Sequence, residues 1–181
     1  MSVVKLIPAL DASAIERCVR RIAHEIAERN GNDNHLRLIG IFRRGAHLAD
    51  RLARLLERDG GGRALVGTLD ISSYRDDGKG IAGDPRLLSR NIPFSLDAAR
   101  VILVDDVLYT GRTVRAALSA IADLGRPESV QLAVLIDRGQ RELPIRADYV
   151  GRNIQAPPGH RVYVRMSEVD GADAVIVGDV K

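Results

Sequence analysis

Residues 101–113 read VILVDDVLYTGRT, and this stretch decides the fold of the chain. Four apolar residues, typical of a buried strand, run directly into two adjacent carboxylates, Asp105 and Asp106. A Thr-Gly turn at 110–111 follows, and a helical pattern then continues over 112–124. A short apolar strand that leads at once into a helix is the unit of parallel sheets. The pattern therefore predicts polar groups at the carboxyl end of a strand, where open parallel sheets bind ligands.

The same alternation of strands and helices continues on both sides of this stretch. A helix is predicted over 13–29, where apolar residues recur at helical spacing, with Ser13 as its N-cap and Asn30-Gly31 as its end. Further patterns predict helices at 45–58 and 112–124, and strands at 36–42, 64–71, 101–104, 130–136, 161–166 and 174–177. The chain is therefore expected to be α/β, with a mainly parallel twisted sheet flanked by helices.

One long segment lacks any regular pattern. Residues 74–91, YRDDGKGIAGDPRLLSRN, hold clusters of charge and glycine with little periodicity. A loop of this length inside a compact domain is typical of a functional lid, so we expect a small hood or flexible loop over about 70–92. No linker or repeat divides the chain, and residues 1–181 are expected to form a single domain.

The composition excludes several classes of protein. The chain has 181 residues, of which 45% are hydrophobic and 28% charged, which excludes a disordered or fibrous chain. Cys18 is the only cysteine and cannot form an internal disulfide, so a reducing compartment, the cytoplasm, is expected. No apolar run has the length of a membrane helix, so no membrane partner is expected. Aromatic residues make up only 3%, which argues against an RNA surface built on aromatic stacking.

The turn at 109–113 has the composition of a phosphate site. Gly111 allows the backbone to approach a ligand closely, while Thr110 and Thr113 offer hydroxyl groups. The backbone N–H groups at the start of the following helix, together with its dipole, favour an anion.

Asp105 and Asp106 indicate a ligand larger than a phosphate. Their carboxylates could accept hydrogen bonds from the vicinal hydroxyls of a sugar, so the stretch as a whole fits a ribose 5-phosphate. The alternative is that the acids only end a strand and the Thr-Gly turn only starts a helix. Neither a Walker motif nor a dinucleotide glycine motif is present in the chain.

The stretch resembles the phosphoribosyl diphosphate (PRPP) signature of type I phosphoribosyltransferases. That resemblance implies two further loops, and the chain offers both in the right order. Phe42-Arg43-Arg44-Gly45, after the first core strand, matches the loop that binds the diphosphate. Ser73-Tyr74-Arg75 matches the opening of a mobile hood.

Three longer segments narrow the resemblance. VDDVLYTGRTVRAAL at 104–118, DRGQRELPIRADYVGRNI at 137–154 and RIAHEIAERN at 21–30 resemble the PyrR family, over about residues 5–180. Members of that family sense uridine nucleotides, bind an RNA hairpin in the leader of pyrimidine-biosynthesis (pyr) messages and make UMP from uracil and PRPP. The resemblance implies the partners PRPP, uracil, UMP or UTP and a pyr mRNA leader hairpin. It also implies Mg²⁺ brought by PRPP and a homodimer or higher homo-oligomer.

The resemblance also assigns residues to the substrates. Catalysis is expected from Asp105, Asp106, Arg44 and Arg75, with the two aspartates as candidate Mg²⁺ ligands beside the PRPP oxygens. Tyr109 stands where purine enzymes of this fold generally have an acid, which argues against a purine base. The expected PRPP and UMP contacts are Arg43, Arg44, Gly45, Ser73, Tyr74, Asp105, Asp106, Val107, Leu108, Tyr109, Thr110, Gly111, Arg112, Thr113, Asp137 and Arg138.

A basic face is the candidate RNA surface. The resemblance implies RNA contacts by Arg20, Arg21, His24, Arg29, Gln140, Arg141, Arg146 and Arg152. Charge alone leaves another interpretation open, because Glu16, Glu25 and Glu28 could balance a solvated helix face. The alternative function is therefore a uracil salvage phosphoribosyltransferase without RNA regulation.

Overall fold

The structure is a computed structural model and describes residues 6–31, 35–71 and 91–179. The segment 72–90, which contains most of the expected hood together with Ser73, Tyr74 and Arg75, lies outside the described residues. In chain order the elements are β1 (Ile7–Leu10), α1 (Ala12–Asn30), β2 (Leu36–Ile41), α2 (Arg44–Arg58), β3 (Leu65–Leu69), β4 (Arg100–Leu108), α3 (Arg112–Leu124), β5 (Ser129–Asp137), β6 (Tyr149–Asn153), β7 (His160–Arg165), α4 (Ser167–Asp170) and β8 (Ala174–Asp179).

A five-stranded parallel sheet forms the centre of the fold. Its strand order is β3-β2-β4-β5-β6, and every pairing in it is parallel. The predicted α/β class with a mainly parallel sheet is therefore confirmed. Because β4 lies between β2 and β5, the carboxyl ends of these three strands meet at one edge, which is where a ligand site is expected.

Alternation along β4 divides the core between the two faces of the sheet. Ile102 and Val104 pack on the face covered by α1 and α2. Val101 and Leu103 pack on the opposite face, under α3. All four side chains are fully buried, as expected for a central parallel strand covered on both faces. Among the described residues, no helix combines the length and the apolar character needed to cross a membrane.

Two local predictions were wrong. Asp11, not Ser13, is the N-cap of α1, because the Asp11 carboxylate accepts a hydrogen bond from the Ala14 backbone N–H at 2.7 Å. The central strand was also predicted to end at 104, whereas β4 continues to Leu108. Its ladder with β5 persists to the pair Leu108 and Asp137, so Asp105 and Asp106 lie inside the strand.

The two ends of the chain form a second sheet, here called the terminal sheet. It has the order β1-β8-β7 with antiparallel pairing. The strands predicted at 161–166 and 174–177 correspond to β7 and β8, while β1 and β6 were not predicted. Val164 and Val175 of this sheet, with Met166 directly after β7, continue the core beneath α1 and α2.

Candidate active site

Two adjacent carboxylates stand in the last part of β4. Asp105 is buried, and its Oδ1 accepts a hydrogen bond from the Asp106 backbone N–H at 2.9 Å. Asp106 in turn accepts one from the Val107 N–H at 2.9 Å. Burial raises the pKa of Asp106, while the hydrogen bond with Asp105 and the charge of Arg44 oppose that rise. The pair therefore offers carboxylate oxygens at the ligand edge of the sheet, held by the backbone itself.

Residues 109–113 lead from β4 into α3, and they are here called the nucleotide loop because the sequence predicts a phosphate site there. Gly111 is the N-cap of α3 and has a φ of 93°, a left-handed conformation that favours glycine. Gly111 has no side chain to cap α3, and Thr110 Oγ1 accepts one long hydrogen bond, of 3.4 Å, from the Arg112 N–H. The first N–H groups of the helix therefore face the ligand edge of the sheet, where a phosphate would accept their hydrogen bonds.

The start of α2 lies directly against β4. A Cβ atom on Gly45 would come within 2.5 Å of the Val104 carbonyl oxygen, so only glycine permits this approach. The neighbouring Arg44 donates from Nε to Asp170 Oδ2 at 3.1 Å and from Nη2 to Asp170 Oδ1 at 2.8 Å. This ion pair raises the pKa of Arg44 and lowers that of Asp170.

Arg44 and Asp106 share a cavity of about 380 Å³. Its opposite wall comes from the terminal sheet and includes Val162, Tyr163 and Arg165 of β7. An arginine and a carboxylate thus face one space between the two sheets, and this space is large enough for part of a nucleotide.

The end of β5 adds Asp137 and Arg138 to the same edge. The Arg138 guanidinium is buried, lies 3.7 Å from the centre of the Tyr109 ring, and donates from Nη2 to the His160 carbonyl at 2.7 Å. Its Nε is buried and has no hydrogen-bond partner in the described part of the chain. Asp137 accepts from the Gly139 N–H at 2.8 Å and from Arg141 at 2.6 Å. Arg138 is therefore a buried donor next to an aromatic ring that is 40% exposed.

Most of the predicted substrate residues are brought together. The ends of β2, β4 and β5, with the loops that follow them, place Arg43, Arg44, Gly45, Asp105, Asp106, Val107, Leu108, Tyr109, Thr110, Gly111, Arg112, Thr113, Asp137 and Arg138 at one edge of the sheet. Leu108 is buried in the core beneath α3, so only its backbone could reach a ligand. Asp170 was not predicted, because no local pattern joins it to Arg44, 126 positions away.

The predicted RNA residues of α1 divide between two sides of the helix. Arg21 donates to the backbone carbonyls of β6 and pairs with Glu25. Arg29 pairs with Asp148 at 3.0 Å, next to the start of the same strand. On the other side, Arg20 pairs with Glu16 at 2.7 Å, and His24 lies 3.4 Å from Asp59 beyond the end of α2.

The remaining RNA candidates follow β5 and end in β6. Gln140, Arg146 and Arg152 are exposed, and their side chains make no hydrogen bond or ion pair within the described part of the chain. Arg141 differs, because all three of its nitrogens donate to groups of its own chain. Arg146 and Arg152 therefore have guanidinium groups available for phosphate, whereas Arg141 does not.

A metal site made by the protein alone is not found in residues 6–31, 35–71 and 91–179. No group of three or more His, Cys, Asp or Glu side chains in these ranges is arranged to hold an ion. Asp105 and Asp106 supply hard oxygen ligands of the type that Mg²⁺ accepts, and that ion usually takes its other oxygens from water and substrate phosphates.

The comparisons with known proteins agree with this geometry. Residues 9–164 match the model of the phosphoribosyl transferase domain. Proteins named Bifunctional protein PyrR are similar along most of their length. The one from Pelotomaculum thermopropionicum is 55% identical, covering 93% of each chain, and the one from Bacillus subtilis is 52% identical, covering 93% of this chain and 94% of the relative.

Solved structures show the fold. The hypoxanthine phosphoribosyltransferase of Trypanosoma cruzi superposes with a TM-score of 0.71 at 20% identity, covering 96% of this chain and 97% of that one. A hypoxanthine phosphoribosyltransferase from Staphylococcus aureus gives a TM-score of 0.70 at 19% identity, with 97% and 91% coverage. The family model matches most of the chain, and the relatives are more than half identical over nearly its whole length. Together with the parallel sheet and the carboxylate pair, these matches show that this protein belongs to the PyrR family of phosphoribosyltransferases.

Proposed function

We propose that this chain transfers the phosphoribosyl group of PRPP to uracil and also regulates pyrimidine genes by binding RNA. In the second role it binds a hairpin in the leader of pyr messages, and uridine nucleotides promote that binding. One observation carries the proposal: the Asp105-Asp106 pair stands beside the Gly111 start of α3, in a chain 52–55% identical to proteins named PyrR.

In the reaction, a bond forms between uracil N1 and C1′ of PRPP. The bond from C1′ to the diphosphate oxygen breaks, the electron pair leaves with diphosphate, and the N1 proton passes to solvent. Asp105 and Asp106 accept hydrogen bonds from the ribose hydroxyls and place negative charge near the positive charge that develops at C1′. The nucleotide loop binds the 5′-phosphate through the N–H groups at the start of α3.

The diphosphate would lie at the start of α2. Arg44 and the backbone of 43–45 face the cavity shared with Asp106, and the pair with Asp170 holds the Arg44 guanidinium in place there. Asp105 and Asp106 would be the protein ligands of a Mg²⁺ ion bound mainly by PRPP oxygens, and the ion would shield the charge of the diphosphate. Ser73, Tyr74 and Arg75 are proposed to complete this site from the hood.

The base would lie at the end of β5. Tyr109 lies against Arg138 and carries no acid to protonate a purine ring. This pair supports uracil over hypoxanthine or guanine as the base.

The proposed RNA surface runs along the β6 edge of the sheet. Gln140, Arg146 and Arg152 present exposed side chains that have no partner among the described residues, and Arg21 and Arg29 line the same edge from α1. Arginine suits this task, because its planar fork binds phosphate and stacks on unpaired bases. We propose that the protein acts in the cytoplasm as a homodimer or higher homo-oligomer.

A salvage enzyme without RNA regulation remains the second candidate. It is favoured by the internal ion pairs of Arg20, Arg21 and Arg29, which already have carboxylate partners in their own chain. RNA phosphates would have to compete with those partners.

Two assays on the purified protein separate the candidates. The first follows conversion of labelled uracil and PRPP to UMP, with hypoxanthine as a competing base. The second measures filter binding of the leader hairpin and of a scrambled hairpin, with and without UMP. Turnover of uracil with hairpin-specific binding that UMP strengthens would support both activities. Turnover with equal, weak binding of both RNAs would leave the salvage enzyme, and absence of turnover would overturn the enzymatic proposal.

A further inference from the structure

Arg141 lies between the two proposed binding sites. From the segment 138–146, its Nε donates to the Ile145 carbonyl at 3.0 Å. Its Nη1 donates to the Tyr109 carbonyl at 3.0 Å, and its Nη2 donates to the Asp137 carboxylate at 2.6 Å. One guanidinium therefore joins the end of β5, the nucleotide loop and the loop that carries the exposed side chains Gln140 and Arg146.

The backbones of the two loops are also bonded to each other. The Thr110 carbonyl accepts hydrogen bonds from the N–H groups of Glu142 at 3.0 Å and Leu143 at 3.1 Å. Gly111 lies so close that a Cβ atom there would be 3.3 Å from both the Leu143 and the Ile145 side chains. The segment 138–146 thus forms a cover packed on the nucleotide loop, and a displacement of either one moves the other.

We propose that Arg141 is a positioning residue that couples nucleotide binding to RNA binding, rather than a direct ligand of RNA phosphate. This inference rests on the proposed function, since it concerns how the two proposed sites communicate. A phosphate bound at the start of α3 fixes the nucleotide loop, the Tyr109 carbonyl then fixes Arg141, and Arg141 orders the segment that presents Gln140 and Arg146 to RNA. Such coupling is reciprocal, so RNA must tighten UMP binding by the same factor by which UMP tightens RNA binding.

The chemistry of arginine gives this proposal its discriminating test. The guanidinium is a planar fork with five donors, and Arg141 uses it to contact four acceptors in different directions. Lysine keeps the positive charge but cannot hold that arrangement. A residue that contacts RNA by its charge would therefore tolerate Arg141→Lys, whereas a residue that positions two loops would not.

The experiment compares wild type, Arg141→Lys and Arg146→Ala as a matched control in the same segment. The dissociation constant for the leader hairpin is measured with and without saturating UMP, and the ratio of the two values reports the coupling. We expect Arg141→Lys to bring the ratio close to one, from a wild-type value in the range of about 5 to 150 that is typical of allosteric coupling. Arg146→Ala is expected to weaken binding in both conditions and to leave the ratio unchanged.

A measurement on the wild-type protein tests the same proposal without any variant. Hydrogen exchange at the Glu142 and Leu143 amides, which donate to Thr110, is expected to slow when UMP binds in the absence of RNA. An unchanged coupling ratio in Arg141→Lys, or unchanged exchange at these amides on UMP binding, would overturn the inference alone. Failure of the wild-type protein to bind the hairpin would instead overturn the proposed regulatory function.

Discussion

Arg44 at the start of α2 and Asp170 in α4 form an ion pair through two parallel hydrogen bonds, of 3.1 and 2.8 Å. The pair joins the start of α2 to the segment between β7 and β8 of the terminal sheet, across a cavity that Asp106 also lines. Bidentate pairs of this kind fix the orientation of the guanidinium as well as its charge. The terminal sheet therefore takes part in shaping the candidate active site as well as extending the core.

The first prediction concerns Arg44. Arg44→Gln is expected to raise the KM for PRPP about ten-fold to a hundred-fold, because a hydrogen bond to a charged group contributes about 1.5–3 kcal/mol. The KM for uracil is expected to change much less. Steady-state kinetics with each substrate varied in turn measures both values. Arg58→Gln is the control, since Arg58 ends the same helix and pairs with the adjacent Asp59, and equal effects of both variants would contradict the assignment.

The second prediction is that the ionised Asp106 carboxylate is needed for turnover and lowers the free energy of unfolding. Burial raises its pKa, so its ionised form opposes folding at pH values above the pKa of the folded state. Asp106→Asn preserves an oxygen for the Val107 N–H but removes the charge. We expect this variant to lose turnover while its free energy of unfolding at pH 7 equals or exceeds that of wild type.

The pH dependence provides the check on that prediction. As the pH falls from the raised pKa of the folded state towards the unfolded-state value of about 3.9, the penalty of the ionised wild-type carboxyl decreases and is lost, so the stability advantage of the variant must shrink. Urea unfolding at several pH values, together with the uracil assay at pH 7, measures both effects. A variant that is markedly less stable than wild type at pH 7 would show that Asp106 supports the fold instead.

Local signals explain why the centre of the site could be predicted from sequence. The βα unit from 101 to 124 shows its strand, turn and helix in consecutive residues, and the loop Arg43-Arg44-Gly45 follows a strand with the same clarity. The end of β4 could not be placed, because Asp105 and Asp106 are polar and yet continue the ladder with β5. Polarity marks the end of a strand only when the polar residue leaves the sheet.

Elements at the edges and contacts between distant residues escaped the sequence analysis. The strand β1 is short and mostly exposed, and β6 is an edge strand that ends in two exposed residues, so neither has a clear apolar run. The partners of Arg44 and Arg51 are Asp170 and Asp173, which lie between β7 and β8 and more than a hundred positions away in the chain, where periodicity gives no signal. Such contacts depend on tertiary structure alone.

The third prediction concerns acid stability. Arg51 in α2 pairs with Asp173 at 2.6 Å, both side chains are less than 20% exposed, and the pair lowers the pKa of Asp173 to about 2. Because this pKa is depressed, the stabilisation is fully present above the unfolded-state value of about 3.9 and is lost as the pH falls towards 2. Asp173→Asn is expected to lower the free energy of unfolding at pH 7 by about 2 kcal/mol.

Urea unfolding between pH 7 and pH 2 measures this difference. The difference in the free energy of unfolding between wild type and Asp173→Asn is expected to decrease below about pH 4. Glu57→Gln serves as the control. Glu57 lies in α2, as Arg51 does, and its exposed carboxylate makes no ion pair within the described ranges. A gap that stays constant across this pH range would mean that the Arg51–Asp173 pair does not contribute through its charge.

The fourth prediction concerns the basic edge of the sheet. Arg152 in β6 is exposed, and its side chain makes no ion pair within residues 6–31, 35–71 and 91–179, so Arg152→Ala removes a cation from the proposed RNA surface without breaking an internal contact. Loss of one phosphate contact is expected to weaken hairpin binding and to reduce the slope of log K against log salt by about 0.7. Uracil turnover is measured in parallel, and Arg63→Ala is the control, because Arg63 is exposed beside β3 at the opposite edge. Equal losses for the two variants would mean that the protein attracts RNA through its overall charge, whereas a loss confined to Arg152→Ala would place the RNA along β6.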